Sequence, residues 1–203
     1  MKKRFVSILM MALLVMSLAL TACTKSAPAP KATDADADAD ATVIEQVAAD
    51  YIATEFGQYY DKADASIPTV YIIRAEVADN GDVTAYGDFW LENYEIKGDT
   101  LEFVSGGNEP GVMHMKKDGD SYKVVKFDRV EDGSNYTDSA KKLFGEYYDA
   151  FAKYTSDDKA KAATRGQQIA NYVKANGLKV TQYHDFGWTR SHCPPSKPIH
   201  KTK

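Results

Sequence analysis

The stretch TVYIIRAEVA-DNGD-VTAYGDFWLENYEI, Thr69 to Ile96, decides the fold. Its first ten residues are rich in β-branched and aromatic side chains. In an extended chain Tyr71, Ile73, Ala75 and Val77 share one face, and Arg74 and Glu76 the other. Asp79-Asn80-Gly81-Asp82 is a turn signal, because Asn and Gly accept the positive φ of tight hairpins. Val83 to Ile96 then predicts a second, longer strand. Lys97-Gly98-Asp99 turns the chain into a third strand, Thr100 to Ser105. Gly106 to Gly111 reads as a looser loop before a fourth strand, Val112 to Lys117. Asp118-Gly119-Asp120 is another hairpin turn, leading to a fifth strand from Ser121 to Val130. Short connections imply adjacent antiparallel strands, so the expected sheet is a five-stranded meander.

Helical patterns flank this run. Thr42-Val43-Ile44-Glu45 has the form of a capping box. Ile44, Val47, Ala48, Tyr51, Ile52 and Phe56 then recur at helical spacing, which predicts a helix from Val43 to about Tyr60. Beyond the strands, Thr137 to about Tyr154 carries Ala140, Leu143, Phe144, Tyr147, Phe151 and Tyr154 on one side. A last helix starts at Ser156 or Asp157 and runs through Asn176, where Gly177 suits a left-handed C-terminal position. Leu178 to Gln182 reads as a brief strand. The expectation is one α+β domain over residues 42–188, with an N-terminal helix, the meander and two C-terminal helices. One helix followed by a curling antiparallel sheet resembles the cystatin-like or NTF2-like roll, a likeness of element order that implies no function.

The N-terminus reads as export machinery. Met1-Lys2-Lys3-Arg4 is basic, Phe5 to Leu20 is apolar apart from Ser7 and Ser17, and small residues precede Cys23. Leu20-Thr21-Ala22-Cys23 resembles the bacterial lipobox, which implies removal of residues 1–22 and diacylglycerylation of the Cys23 thiol. Palmitate-type acyl chains on Cys23 would hold the protein at the cell membrane on its extracytoplasmic face, since two chains suffice for stable anchoring. Residues 23–41 read as a disordered tether: Ala27-Pro28-Ala29-Pro30 is followed by Asp-Ala alternation from Asp34 to Ala41. Such a segment lacks the apolar surface to offset the entropy of ordering. Loss of Lys2, Lys3 and Arg4 moves the formal net charge from −4 to −7, which disfavours nucleic acid as a partner. With Cys23 lipidated, Cys193 has no intramolecular disulfide partner, and the core alone must hold the domain.

The candidate chemistries are thin. His114, on the fourth strand between Met113 and Met115, is the only histidine between Thr24 and Gln182. An enzyme would use it with a carboxylate such as Asp88 or Glu102 converging in a cleft. Neither a Gly-x-Ser-x-Gly elbow nor a His-Glu-x-x-His motif occurs, and no catalytic set is assigned. The acidic residues around Gly133 fail the calcium-loop pattern, because Val130 and Ser139 fall where oxygen-rich ligands belong. The other histidines, His184, His192 and His200, lie in the tail with Cys193, yet Cys193-Pro194-Pro195 is stiff and no second cysteine is available. No metal site or cofactor is assigned. Aromatic side chains are abundant, with 13 tyrosines and 2 tryptophans. Trp90 and Tyr94 on the long strand, with His114, are the ligand-binding candidates, although core packing explains most of the aromatics and a tail docked through Phe186 and Trp188 needs no ligand.

Gly87-Asp88-Phe89-Trp90, Gly98-Asp99-Thr100-Leu101, Ser105-Gly106-Gly107, Pro110-Gly111, Asp132-Gly133-Ser134 and Asp185-Phe186-Gly187-Trp188 resemble a group of lipoproteins from gut-dwelling Firmicutes. The likeness spans roughly residues 67–188 and implies fold and location, because that group has no assigned activity. Residues 189–203 depart from it and read as a disordered tail. The expected function is a lipid-anchored, non-enzymatic binding domain whose partner is a protein, a glycan or a small ligand. The alternative is a small-ligand-binding roll or an enzyme using His114.

Overall fold

The computed structural model describes residues 34–187 and 189–196; residues 1–33, Trp188 and 197–203 lie outside the described residues, and with them Cys23 and His200. The organising element is the long strand β2, Val83–Lys97, because alternate side chains serve two different cores. Val83, Ala85, Phe89 and Leu91 point to the first helix, α1 (Asp34–Gly57). Tyr86 and Tyr94 point the other way, beneath the C-terminal helices α2 (Tyr136–Phe144), α3 (Tyr148–Thr155) and α4 (Asp158–Ala175). Helices on both faces explain why β2 is buried along most of its length rather than on alternate residues. The class is α+β, with a seven-stranded mixed sheet.

The topology departs from a meander at one place. β1 (Ala65–Val77) pairs antiparallel with β2 along nearly its whole length. On the other side of β2 lie both β3 (Thr100–Asn108) and β4 (Gly111–Asp118). β3 pairs from Lys97↔Thr100 to Trp90↔Asn108, and β4 takes over from Gly87↔Gly111 to Val83↔Met115. The two are therefore one line of chain interrupted at Glu109 and Pro110, not two neighbours joined by a hairpin. Proline cannot donate a ladder hydrogen bond, so the break falls there. The expected loop from Gly106 to Gly111 is mostly strand. β5 (Ser121–Arg129) pairs antiparallel with β4, whereas β6 (Gln182–His184) pairs parallel with Thr100–Glu102 of β3.

Three bulges bend this sheet. The register slips by one residue between Ile72 and Arg74, at Val104 opposite the Asn93–Tyr94 step, and at Val125 opposite His114–Met115. The first overturns the expected face of β1: Tyr71 and Ile73 pack towards the C-terminal helices, whereas Ala75 packs with Ile72 towards α1. A straight period of two holds only until an inserted residue reverses it.

The helix boundaries also differ from expectation. α1 begins at Asp34, so the Asp-Ala alternation is helical and Thr42 lies inside the helix rather than capping it. Alanine has the strongest intrinsic helix propensity, and acidic side chains near a helix N-terminus are favourable. Ile44, Ala48 and Ile52 are fully buried, as their spacing predicts. The expected helix from Thr137 to Tyr154 is two helices, because Gly145 adopts φ 51°, ψ −122° and a 3-10 turn follows. Phe144 and Phe151 stack across the break at 4.1 Å. α4 starts as expected: the Asp157 carboxylate accepts from the amides of Lys159 and Ala160, both at 3.0 Å. The brief strand lies at Gln182–His184 rather than at 178–182, and the supposed disordered tail contributes β7 (Ser191–His192), paired with β6.

Phe89 is fully buried between α1 and the sheet, its ring meeting Phe127 edge-on at 5.5 Å. Phe89→Ala should lower unfolding free energy by about 3–5 kcal/mol, read by urea denaturation; a loss under ~1 kcal/mol would show that this core is not the one that holds the sheet.

Candidate functional site

The face of β2 under α4 carries Asp88, Trp90, Glu92 and Tyr94, an unusual load of polar groups for a buried strand. Each has a partner. Asp88 accepts from Trp90 Nε1 at 2.9 Å and from Asn108 Nδ2 at 2.6 Å. Glu92 Oε2 accepts from the Thr69 hydroxyl at 3.1 Å, and its Oε1 forms an ion pair with Arg165 Nε of α4. Arg165 Nη1 donates to Asp185 Oδ2 at 3.0 Å, and the other oxygen of Asp185 accepts from the Tyr94 hydroxyl at 2.7 Å. One guanidinium thus bridges two carboxylates from different parts of the chain, and its central carbon lies 5.3 Å from the Trp90 ring centre.

The electrostatics follow from burial. The Glu92 side chain is 4% exposed, and loss of water pushes its carboxyl up to about 7. Arg165 pulls that value down, while the Asp185 charge adds to the rise. Burial likewise pushes Asp88 up, with the bonds from Asn108 and Trp90 offsetting only part of it. For Arg165 burial opposes the charge, but the adjacent carboxylates outweigh it and the guanidinium is held cationic. Two carboxylates around one cation carry an excess negative charge, so a proton on Glu92 near neutral pH brings the cluster towards neutrality.

This cluster forms the floor of a cleft of about 630 Å³ between the β2–β3 surface and α4. Trp90, Phe103 and Phe186 supply apolar walls; Phe186 is 82% exposed, and its ring centre lies 6.3 Å from that of Phe103. Lys161 and Asp158, paired at 2.9 Å, stand at the rim. Apolar walls around a few fixed polar groups are the usual make-up of a binding site. The floor groups are paired with one another, Arg165 Nε meeting Glu92 as an ion pair without a well-aligned hydrogen bond.

Of the residues singled out in the sequence, Trp90 lines the cleft and Tyr94 lies fully buried beneath it. His114 is elsewhere. Its Nε2 lies 3.0 Å from Asp128 on β5, with Lys126 2.8 Å from the same oxygen. Its partner on β2 is Thr84, four residues from Asp88 and on the same face, which places it about 13 Å along the strand. Glu102 faces the opposite side of the sheet, where it accepts from His184 and Arg190 at 2.7 Å each. The convergence that an enzyme built on His114 with Asp88 or Glu102 requires is absent. The tail histidines do not gather either: His184 serves Glu102, while His192 lies across from Gln182. Among the described residues no group of three or more His, Cys, Asp or Glu is arranged to hold a metal ion, and no helix is long and apolar enough to cross a membrane.

Glu92, Arg165 and Asp185 were missed by sequence reasoning, although one signal for Glu92 was present. A charged residue at the centre of an apolar strand must find a buried partner. Comparison with known proteins finds no protein family that matches the chain, no similar curated protein and no similar solved structure.

Because the folded Glu92 carboxyl sits near 7 and an unfolded one near 4.5, the folded state binds the extra proton between those values. Stability from this group is therefore lost as pH rises through that window. Glu92→Gln should flatten that decline in unfolding free energy measured from pH 4.5 to 8; an unchanged slope would place the titration elsewhere.

Proposed function

We propose that this protein is a lipid-anchored, extracytoplasmic binding domain, with acyl chains on Cys23 at the membrane and the cleft over Glu92, Arg165 and Asp185 as its binding site. The observation that carries the reading is the pairing of aromatic walls with a floor already locked by an ion triad. A binding surface that is rigid before its ligand arrives loses less entropy on association. The helix-backed sheet, bent by three bulges, also supports the likeness to a cystatin-like or NTF2-like roll, in which a curved sheet and a helix enclose a pocket. The N-terminal pattern Leu20-Thr21-Ala22-Cys23 supports the anchor.

Two measurements test the two halves separately. Cys23→Ser should abolish labelling by radioactive palmitate and release the protein from the membrane fraction; persistent membrane retention without label would refute the lipid anchor. For the cleft, a thermal-shift screen of the full chain against small molecules, glycans and peptides should return ligands whose affinity falls tenfold or more in Trp90→Ala. Ligands indifferent to Trp90→Ala would move the site away from the cleft.

A further inference from the structure

The sheet is incomplete along the outer side of β3. β6 covers β3 only at Thr100–Glu102, and β5 covers the chain only from Gly111 onwards. Between those two stretches, among the described residues, no strand pairs with the outer edge of Phe103–Asn108. The gap amounts to about 20 Å of extended chain. Its ends are fixed by the neighbouring strands. Exposed edges are ordinarily blunted by charged side chains or proline. Phe103-Val104-Ser105-Gly106-Gly107-Asn108 carries neither, although 27% of the chain is charged. The bulge at Val104 is the one blunting device present. Gly106 is required by the fold itself, since a Cβ there would meet the backbone oxygen of Leu91, whereas at Gly107 it would meet only the tip of the Tyr60 side chain.

Depressions lie on both faces of this edge. The cleft described above reaches Val104, Ser105 and Gly106 from the α4 side. A second depression of about 390 Å³, lined by Tyr59, Tyr60, Lys62 and Glu95, shares Val104 and Ser105 with it. A third, between α1 and Arg129, continues from Tyr59 and Tyr60. An added strand projects successive side chains to opposite faces, so a peptide laid on this edge would feed both sides alternately. The chemistry of the two sides differs. Trp90, Phe103 and Phe186 suit a large apolar side chain. Tyr59, 75% exposed, with Tyr60 and the Asp61 carboxylate, suits a cation through ring faces and charge, while Glu95 on this side is held by Lys97 at 2.9 Å and Lys62 lines the same wall. Of the seven carboxylates that line the three depressions, five are paired with Arg165, Lys161, Lys97 or Arg129, and the two without an ion pair among the described residues, Glu55 and Asp61, both lie on the Tyr59 side.

We propose that the cleft's occupant is an extended peptide segment of a partner protein that adds a strand to the Phe103–Asn108 edge, with apolar side chains directed to the Trp90 side alternating with basic ones directed to the Tyr59 side. This rests on the cleft being the binding site and names what fills it. Backbone hydrogen bonds supply the affinity, and the alternating pattern supplies the specificity.

The test uses the full-length protein and a fluorescently labelled, capped hexapeptide alternating lysine with phenylalanine, read by anisotropy. The expected result is saturable binding, at least tenfold tighter than a peptide of the same composition with its residues grouped by type. Two further peptides carry N-methyl groups on alternate backbone nitrogens, one set on the lysines and one on the phenylalanines. Strand addition requires one of the two to lose tenfold or more while the other binds normally, because only one set of amides faces the edge. Equal affinity of both methylated forms overturns strand addition but leaves the cleft as a binding site, provided Trp90→Ala still weakens the peptide. Absence of binding by every peptide, with Trp90-dependent binding of a glycan or small molecule, overturns the proposal and preserves the cleft reading. Edge-to-edge dimerisation that Ser105→Lys abolishes, seen by sedimentation, would make a second copy the occupant and overturn it as well.

Discussion

A guanidinium taken out of water must be matched by negative charge, and Arg165 is matched twice, by Glu92 of β2 and Asp185 just beyond β6. That requirement ties together three segments distant in sequence. It docks α4 on the sheet, fixes the chain as it leaves β6, and gives Tyr94 a buried acceptor for its hydroxyl. Removing one partner of a buried pair costs about 3–5 kcal/mol, because the remaining charge is left uncompensated. A well-packed apolar trio of the same shape would hold the fold at least as well. The triad therefore makes more sense as a device for position: it sets α4 at one distance and angle over β2, and so sets the width of the cleft between them.

The same logic explains why β2 carries two kinds of residue. Towards α1 its side chains are apolar and the core is of ordinary make-up, with Phe89, Leu91, Met113 and Met115 packed on Ile44, Ala48 and Ile52. Towards the C-terminal helices it alternates aromatic and acidic groups. One face stabilises the domain and the other shapes the cleft, a division that a strand covered on both sides by helices allows.

Much of the fold was legible in local pattern. Turn chemistry placed Gly81, Gly98 and Gly119 correctly, and all three adopt positive φ. Helical spacing identified the buried side of α1, and Asp157 and Gly177 marked the two ends of α4. What escaped was non-local. That β3 and β4 run in line along β2 depends on which edge of β2 the chain returns to, and a loop's composition does not encode this. The reversal of faces in β1 depends on one bulged residue, which leaves the hydrophobic pattern nearly unchanged. The Asp-Ala run of α1 was misread because acidic, small-residue composition suggests disorder, whereas alanine favours helix once an adjoining amphipathic turn supplies the nucleus.

The site escaped for a related reason. Trp90 and Tyr94 stood out as aromatic residues on a long strand, but they are the wall and the foundation of a site whose decisive contacts come from Arg165 and Asp185, far along the chain. Arginine and aspartate are common on helices and in loops, so nothing local distinguishes these two from solvated ones. The informative residue was Glu92. Flanked by Leu91 and Asn93 within a strand too apolar to lie on a surface, its carboxylate had to meet either a cation or a proton, and in the folded chain near neutral pH it meets both: Arg165 at one oxygen, and a carboxyl raised to about 7. A charge that the hydrophobic pattern cannot accommodate marks the place where packing has yielded to position, and here that place is the floor of the cleft.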